Sequence, residues 1–83
     1  MTRIPRDISG EDLARALSTF GYVVVRQTGS HIRLVSEWKG HPHHITIPNH
    51  DQIKIGTLNN ILTDVAEYVD LDKRRLIMKL FDK

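Results

Sequence analysis

The chain has no cysteine, which excludes disulfides, cysteine-ligated zinc and thiol catalysis. It also has no apolar run approaching the ~20 residues that cross a bilayer. The segment Met1-Thr2-Arg3-Ile4-Pro5-Arg6 lacks the hydrophobic stretch of a secretion signal. These absences lead to the expectation of a cytoplasmic protein. Nor is there a large excess of charge of one sign: 12 basic against 10 acidic residues leave a formal +2, too little to announce nucleic-acid binding by itself. Internal repeats, low-complexity tracts and linkers are missing as well, so residues 1–83 are expected to form a single domain with a small core.

Several chemistries are missing too. No serine or threonine stands in a recognisable motif with a histidine and an acid. Thr28-Gly29-Ser30 is too short to be a phosphate-cradling glycine loop. The expected strands carry no paired carboxylates, which argues against glycosidase chemistry and two-metal nucleases. Histidine, in contrast, is plentiful: His31, His41, His43, His44 and His50. The run His41-Pro42-His43-His44 raises a metal reading, but alternation along a strand points His43 and His44 to opposite faces, and no spacing matches a zinc pattern. These residues are expected to be solvent-exposed turn histidines, with no metal site and no cofactor.

What is present is a sequence of well-marked elements. Residues Met1–Ile8 read as an extended lead-in, with Pro5 discouraging helix just before it. Ser9 can cap a helix over Gly10–Phe20, with Glu11 and Asp12 in the first turn. Leu13, Ala16, Leu17 and Phe20 form its stripe, and Gly21 ends it. Strands follow at Tyr22–Gln27, His31–Ser36 and His43–Ile47, divided by Thr28-Gly29-Ser30 and by the turn Glu37–Pro42. Pro48 ends the third strand, and Asn49–Ile55 is a polar loop.

Gly56-Thr57 then opens the clearest helix, with Thr57 as cap. Leu58, Ile61, Leu62, Val65, Ala66 and Val69 form one apolar face. Asp72 can cap a last helix, Lys73–Phe81, whose basic start Lys73-Arg74-Arg75 opposes the helix dipole; tertiary contacts or an acidic partner would have to compensate, and a solvated charge cluster is the commoner case. Sequential antiparallel strands with helices on one face make an α+β fold of order α-β-β-β-α, plus a short C-terminal helix.

The hairpin at Val23–Val35 holds the best functional lead. Both its strands favour an extended, half-buried backbone. Gly29 between them can take a positive φ, so a tight turn is expected there. If the second strand starts at His31, Ile32 and Leu34 share one face while His31 and Arg33 share the other. An imidazole then stands at the mouth of a hairpin with a guanidinium two residues along. Such a pair can remove the proton from an RNA 2′-hydroxyl and hold the phosphate that the oxygen attacks. Other basic residues, Arg3, Arg6, Arg26, Lys39 and Lys54, lie in or beside the expected sheet and loops.

Thr28-Gly29-Ser30-His31, then Ile45-Thr46-Ile47-Pro48-Asn49-His50, then Lys54-Ile55-Gly56-Thr57-Leu58-Asn59-Asn60-Ile61-Leu62 resemble the HicA toxins of HicA–HicB toxin–antitoxin modules. The resemblance implies a double-stranded-RNA-binding-domain-like fold and an mRNA-cleaving activity that inhibits translation. It also implies neutralisation by a HicB-like antitoxin. The family's catalytic histidine falls on His31, with Gly29 and Ser30 shaping the turn that presents it. Lys54 matches a basic position that would contact the RNA backbone together with Arg33, and His50 matches the histidine after the third strand. The histidine-rich turn with Trp38 and the Lys73-Arg74-Arg75 run depart from the family pattern. Trp38 is expected to pack over the sheet edge, with base stacking the other option. Two rival readings are a non-catalytic RNA-binding module of the same fold and an interaction protein whose sheet face docks a partner chain.

Overall fold

The computed structural model describes residues 4–81; Arg3 and the start of the expected lead-in lie outside them. Ser9 accepts a hydrogen bond from the Asp12 amide at 3.0 Å and so opens α1, Gly10–Leu17. A 3₁₀ turn at Ser18–Phe20 follows, and Gly21 closes it in the left-handed conformation at φ 77°. Leu13, Ala14, Leu17 and Phe20 are buried. Ala14 thus takes the fully packed place expected for Ala16, which sits half-buried at the rim.

Three antiparallel strands come next, β1 Val23–Gln27, β2 His31–Ser36 and β3 His43–Pro48, in the order β1-β2-β3. The helices cover one face of this sheet, where Ile32, Leu34, Ile45 and Ile47 are buried. His31 and Arg33 alternate with them onto the open face. β3 extends one residue past Ile47, pairing Pro48 with His31. Proline is tolerated there because β3 is an edge strand.

β1 departs from the half-buried strand expected of its valines. Val23, Val24 and Val25 are 58%, 47% and 55% exposed, because β1 is the other edge and α1 covers little of it. Its register also shifts. Val23 faces Val35 and Val24 faces Leu34, but Arg26 faces Arg33 and Gln27 faces Ile32, so Val25 is the extra residue of a β-bulge.

α2 spans Ile55–Val69 with Lys54 at its N-cap position, three residues before the expected cap, Thr57. Thr57 is inside its first turn, and Lys54 makes no side-chain capping hydrogen bond. All six residues of the expected apolar face are buried. α3, Lys73–Phe81, is capped as expected, with Asp72 accepting from the Arg75 amide at 2.8 Å. Its basic first turn is compensated by Asp72 beside Arg75 and by Lys73, which donates to the Asn59 side chain of α2. The architecture is α+β with the double-stranded-RNA-binding-domain-like order, helix, three antiparallel strands, helix, followed by α3. Among the described residues no helix is long and apolar enough to cross a membrane.

The start of α1 meets the end of β3 at very short range. The Gly10 amide donates to the His50 carbonyl at 2.9 Å. A Cβ on Gly10 would overlap the Pro48 carbonyl oxygen and lie 3.2 Å from the Asn49 Cα. Both obstacles are backbone and cannot rotate away. Gly10→Ala is therefore expected to lose about 1–3 kcal/mol despite its better helix propensity, lowering Tm by roughly 5–20 °C. Gly56, in the first turn of α2, has nothing within 4 Å of such a Cβ, so Gly56→Ala should hold or gain about 0.5–1 kcal/mol. Thermal melts of the two variants side by side check the contrast.

Candidate functional site

The turn between β1 and β2 is built differently from the expected glycine hairpin. Gly29 does not take a positive φ; among the described residues only Gly21, Gly40 and Asp70 do. The turn is held instead by Thr28. Its backbone amide donates to the His31 carbonyl at 2.9 Å, and its hydroxyl accepts from the amides of Ser30 at 3.3 Å and His31 at 3.1 Å. This is the side-chain turn mimicry typical of threonine. Gly29 sits at the tip with open space around its Cα.

A second clamp comes from the residue after β3. The Asn49 amide donates to the Ser30 carbonyl at 2.9 Å, and the Asn49 side chain donates to the Thr28 carbonyl, also at 2.9 Å. Asn49 therefore holds both sides of the turn. Sequence reasoning did not single out Asn49 for this. An asparagine directly after a strand-ending proline is the one signal that could have flagged it.

The two clamps leave His31 exposed at the head of β2, with Ser30 Oγ 3.0 Å from its Nδ1. When Nδ1–H donates to Ser30, Nε2 keeps a free lone pair facing solvent and can accept a proton. When Nε2 is also protonated, the same atom can return it. The ring thus has one nitrogen fixed and one available.

Beyond His31 the open face is basic. Arg33 lies between Arg26 on β1 and Thr46 on β3, and His44 follows opposite Val35. None of the three strands contains an aspartate or glutamate. Neither Arg26 nor Arg33 forms a salt bridge among the described residues.

The remaining predicted site residues are dispersed. Lys54 stands at the start of α2 and lines a shallow cleft with Arg6, Gln52, Ile53 and Ile55, so the structure does not bring it into the His31 turn. His50 contributes its carbonyl to α1 while the residue itself is exposed.

His43 is not the exposed turn histidine that was expected. It is half-buried, with Tyr22 Oη 2.7 Å from Nδ1 and Asp64 Oδ1 3.3 Å from Nε2. Its ring stacks on Tyr68 at 4.5 Å and 12°. Tyr68 in turn staples the Glu37–Pro42 turn, donating to the His41 carbonyl at 2.6 Å and accepting from the Lys39 amide at 3.1 Å. Trp38 packs edge-on against Phe20 at 5.5 Å, as the packing option requires, though it stays 54% exposed. Among the described residues no group of three or more His, Asp or Glu side chains is placed to hold a metal ion.

Burial, reinforced by the nearby Tyr68 and Asp64 charges, raises the Tyr22 phenol well above the ordinary tyrosine range. The unfolded chain ionises this group near pH ~10 while the native state keeps the proton, so stability falls as pH rises past that point. Tyr22→Phe should flatten this alkaline fall in urea melts between about pH 9 and 11. At neutral pH it should cost about 1 kcal/mol for the lost bond to His43.

For the turn, Thr28→Val keeps the branch and removes the acceptor. It should cost about 1 kcal/mol and speed hydrogen exchange at the Ser30 and His31 amides, with the sheet interior unchanged.

The family model for the HicA toxin of bacterial toxin–antitoxin systems matches residues 10–66, from the first residue of α1 to near the end of α2. No curated protein and no solved structure matches the chain.

Proposed function

The chain belongs to the HicA toxin family of bacterial toxin–antitoxin systems, and from that premise we propose that it is a metal-independent endoribonuclease that cleaves mRNA and so inhibits translation. The observation that carries the reading is His31 itself. It is an exposed imidazole with Nδ1 held by Ser30 and Nε2 open, on a turn clamped from two sides and beside a face with no carboxylate.

His31 Nε2 takes the proton from an RNA 2′-hydroxyl, and the resulting oxyanion attacks the adjacent phosphorus. The P–O5′ bond breaks, giving a 2′,3′-cyclic phosphate end and a 5′-hydroxyl end. Arg33 holds the phosphate and stabilises the charge gathered on it in the transition state. Lys54, on its separate cleft, contacts the RNA backbone further along. Gly29, unobstructed at the tip, lets the strand approach the turn closely, and Ser30 orients the imidazole. The reaction uses no cofactor and takes place where mRNA is, in the cytoplasm. With one histidine in the turn, water protonates the leaving 5′-oxygen, so turnover is slow beside a two-histidine ribonuclease. A HicB-like antitoxin silences the toxin by covering the His31 face.

The test is incubation of wild type and His31→Ala with a defined RNA in EDTA, reading the ends formed. Cleavage by wild type should leave cyclic phosphate ends, and His31→Ala should be slower by about 10²-fold or more. Because His31 is exposed, the variant should melt within about 0.5 kcal/mol of wild type. Equal cleavage by both proteins would remove His31 from the mechanism. RNA binding without cleavage by either would favour a binding module of the same fold.

A further inference from the structure

Arg26 and Arg33 are direct cross-strand neighbours, and like charges so placed repel. No acid on the sheet relieves them. The bulge at Val25 is what brings them together. In the register that holds for Val23 and Val24, Val25 would face Arg33 and Arg26 would face the buried Ile32. The extra residue turns Arg26 from the helix-covered side to the open side, one strand over from Arg33. Bulges re-aim side chains in this way beside functional sites. Here the result is an unfavourable pair in the middle of an otherwise ordinary sheet, two residues along β2 from His31.

We propose that the open face of the sheet is a track for one extended RNA strand, with Arg26 gripping the phosphodiester next to the scissile one at His31 and Arg33, between them, reaching both. The proposal rests on the nuclease reading above and extends it by a further binding residue, Arg26, and by the path of the strand across the open face of the sheet. Three rows of side chains cross this face: His31 with Pro48, then Arg26, Arg33 and Thr46, then Val23, Val35 and His44. Successive rows are two residues apart, ~7 Å, comparable to the step between consecutive phosphates of an extended strand. Two guanidiniums flanked by a hydroxyl suit a phosphodiester, and the phosphate removes the repulsion between them.

The face is only three strands, ~10 Å, wide, which fits one backbone. In-line attack by a 2′-oxygen also requires a backbone released from A-form geometry. No Phe, Tyr or Trp lies on the strands of this face, so recognition runs chiefly through the backbone and tolerates many sequences.

The test measures binding of a short fluorescent single-stranded RNA, and of its duplex, to His31→Ala protein with and without Arg26→Gln. The duplex should bind more weakly than the single strand. Arg26→Gln should weaken single-strand binding about tenfold and shallow the slope of log affinity against log salt by about 0.7. At the same time Tm should rise by about 1–4 °C as the repulsion is lost. Binding falls and stability rises, a combination that simple unfolding cannot give, and Arg26→Lys should recover part of the affinity.

Unchanged single-strand affinity in Arg26→Gln overturns the track, as does duplex binding that is equally tight. If Arg26→Gln with His31 intact also binds and cleaves like wild type while His31→Ala is inert, the track falls and the nuclease reading stands. If cleavage survives His31→Ala while Arg26→Gln still weakens single-strand binding, the track stands and the catalytic assignment falls.

Discussion

The contact between the first residue of α1 and the end of β3 sets the geometry on which the rest of the molecule depends. Gly10 lies against the Pro48 carbonyl and donates to the carbonyl of His50. Between those two residues, Asn49 reaches the other way and holds the Thr28–Ser30 turn. One short segment therefore fixes where the helix begins and where the hairpin tip stands. No side chain larger than hydrogen at position 10 is compatible with that approach, which makes a backbone contact, and not a core residue, the tightest constraint at this end of the fold.

The two ends of the sheet are finished by different physics. At the His31 end, short polar residues satisfy one another near the surface, and the imidazole is left with one fixed and one free nitrogen. At the other end, His43 is absorbed into packing. Tyr22, Asp64 and Tyr68 surround it, and Tyr68 ties down the long turn that carries Trp38. Two histidines on neighbouring strands thus have opposite fates because one faces water and the other faces α2.

The helices were legible because their signals are local. The stripe Leu58–Val69, the Ser9 and Asp72 caps and the terminating Gly21 each depend on residues within a turn of one another. The alternation that exposes His31 and Arg33 was legible for the same reason. What escaped depends on distant partners or on backbone detail. His43 looked like part of an exposed run because Tyr22 and Asp64 are each 21 positions away. The valines of β1 signal burial by composition, but an edge position leaves them uncovered. The bulge at Val25 has no glycine to announce it. Gly29 drew the expectation of a left-handed turn, while the neighbouring threonine hydroxyl supplied the same closure by hydrogen bonding. Lys54 is paired with Arg33 on the RNA backbone only by the family resemblance, and its place at the N-cap of α2 puts it on a separate cleft.

The double hold of Asn49 has a dynamic consequence. Amides and carbonyls at the hairpin tip are normally the first to open in a small sheet, independently of what happens elsewhere. Here the tip shares its anchor with the start of α1, through a segment that is itself continuous with β3. Opening the tip therefore loosens the same segment that seats the start of α1, so the turn that presents the imidazole is coupled through Asn49 to the docking of that helix.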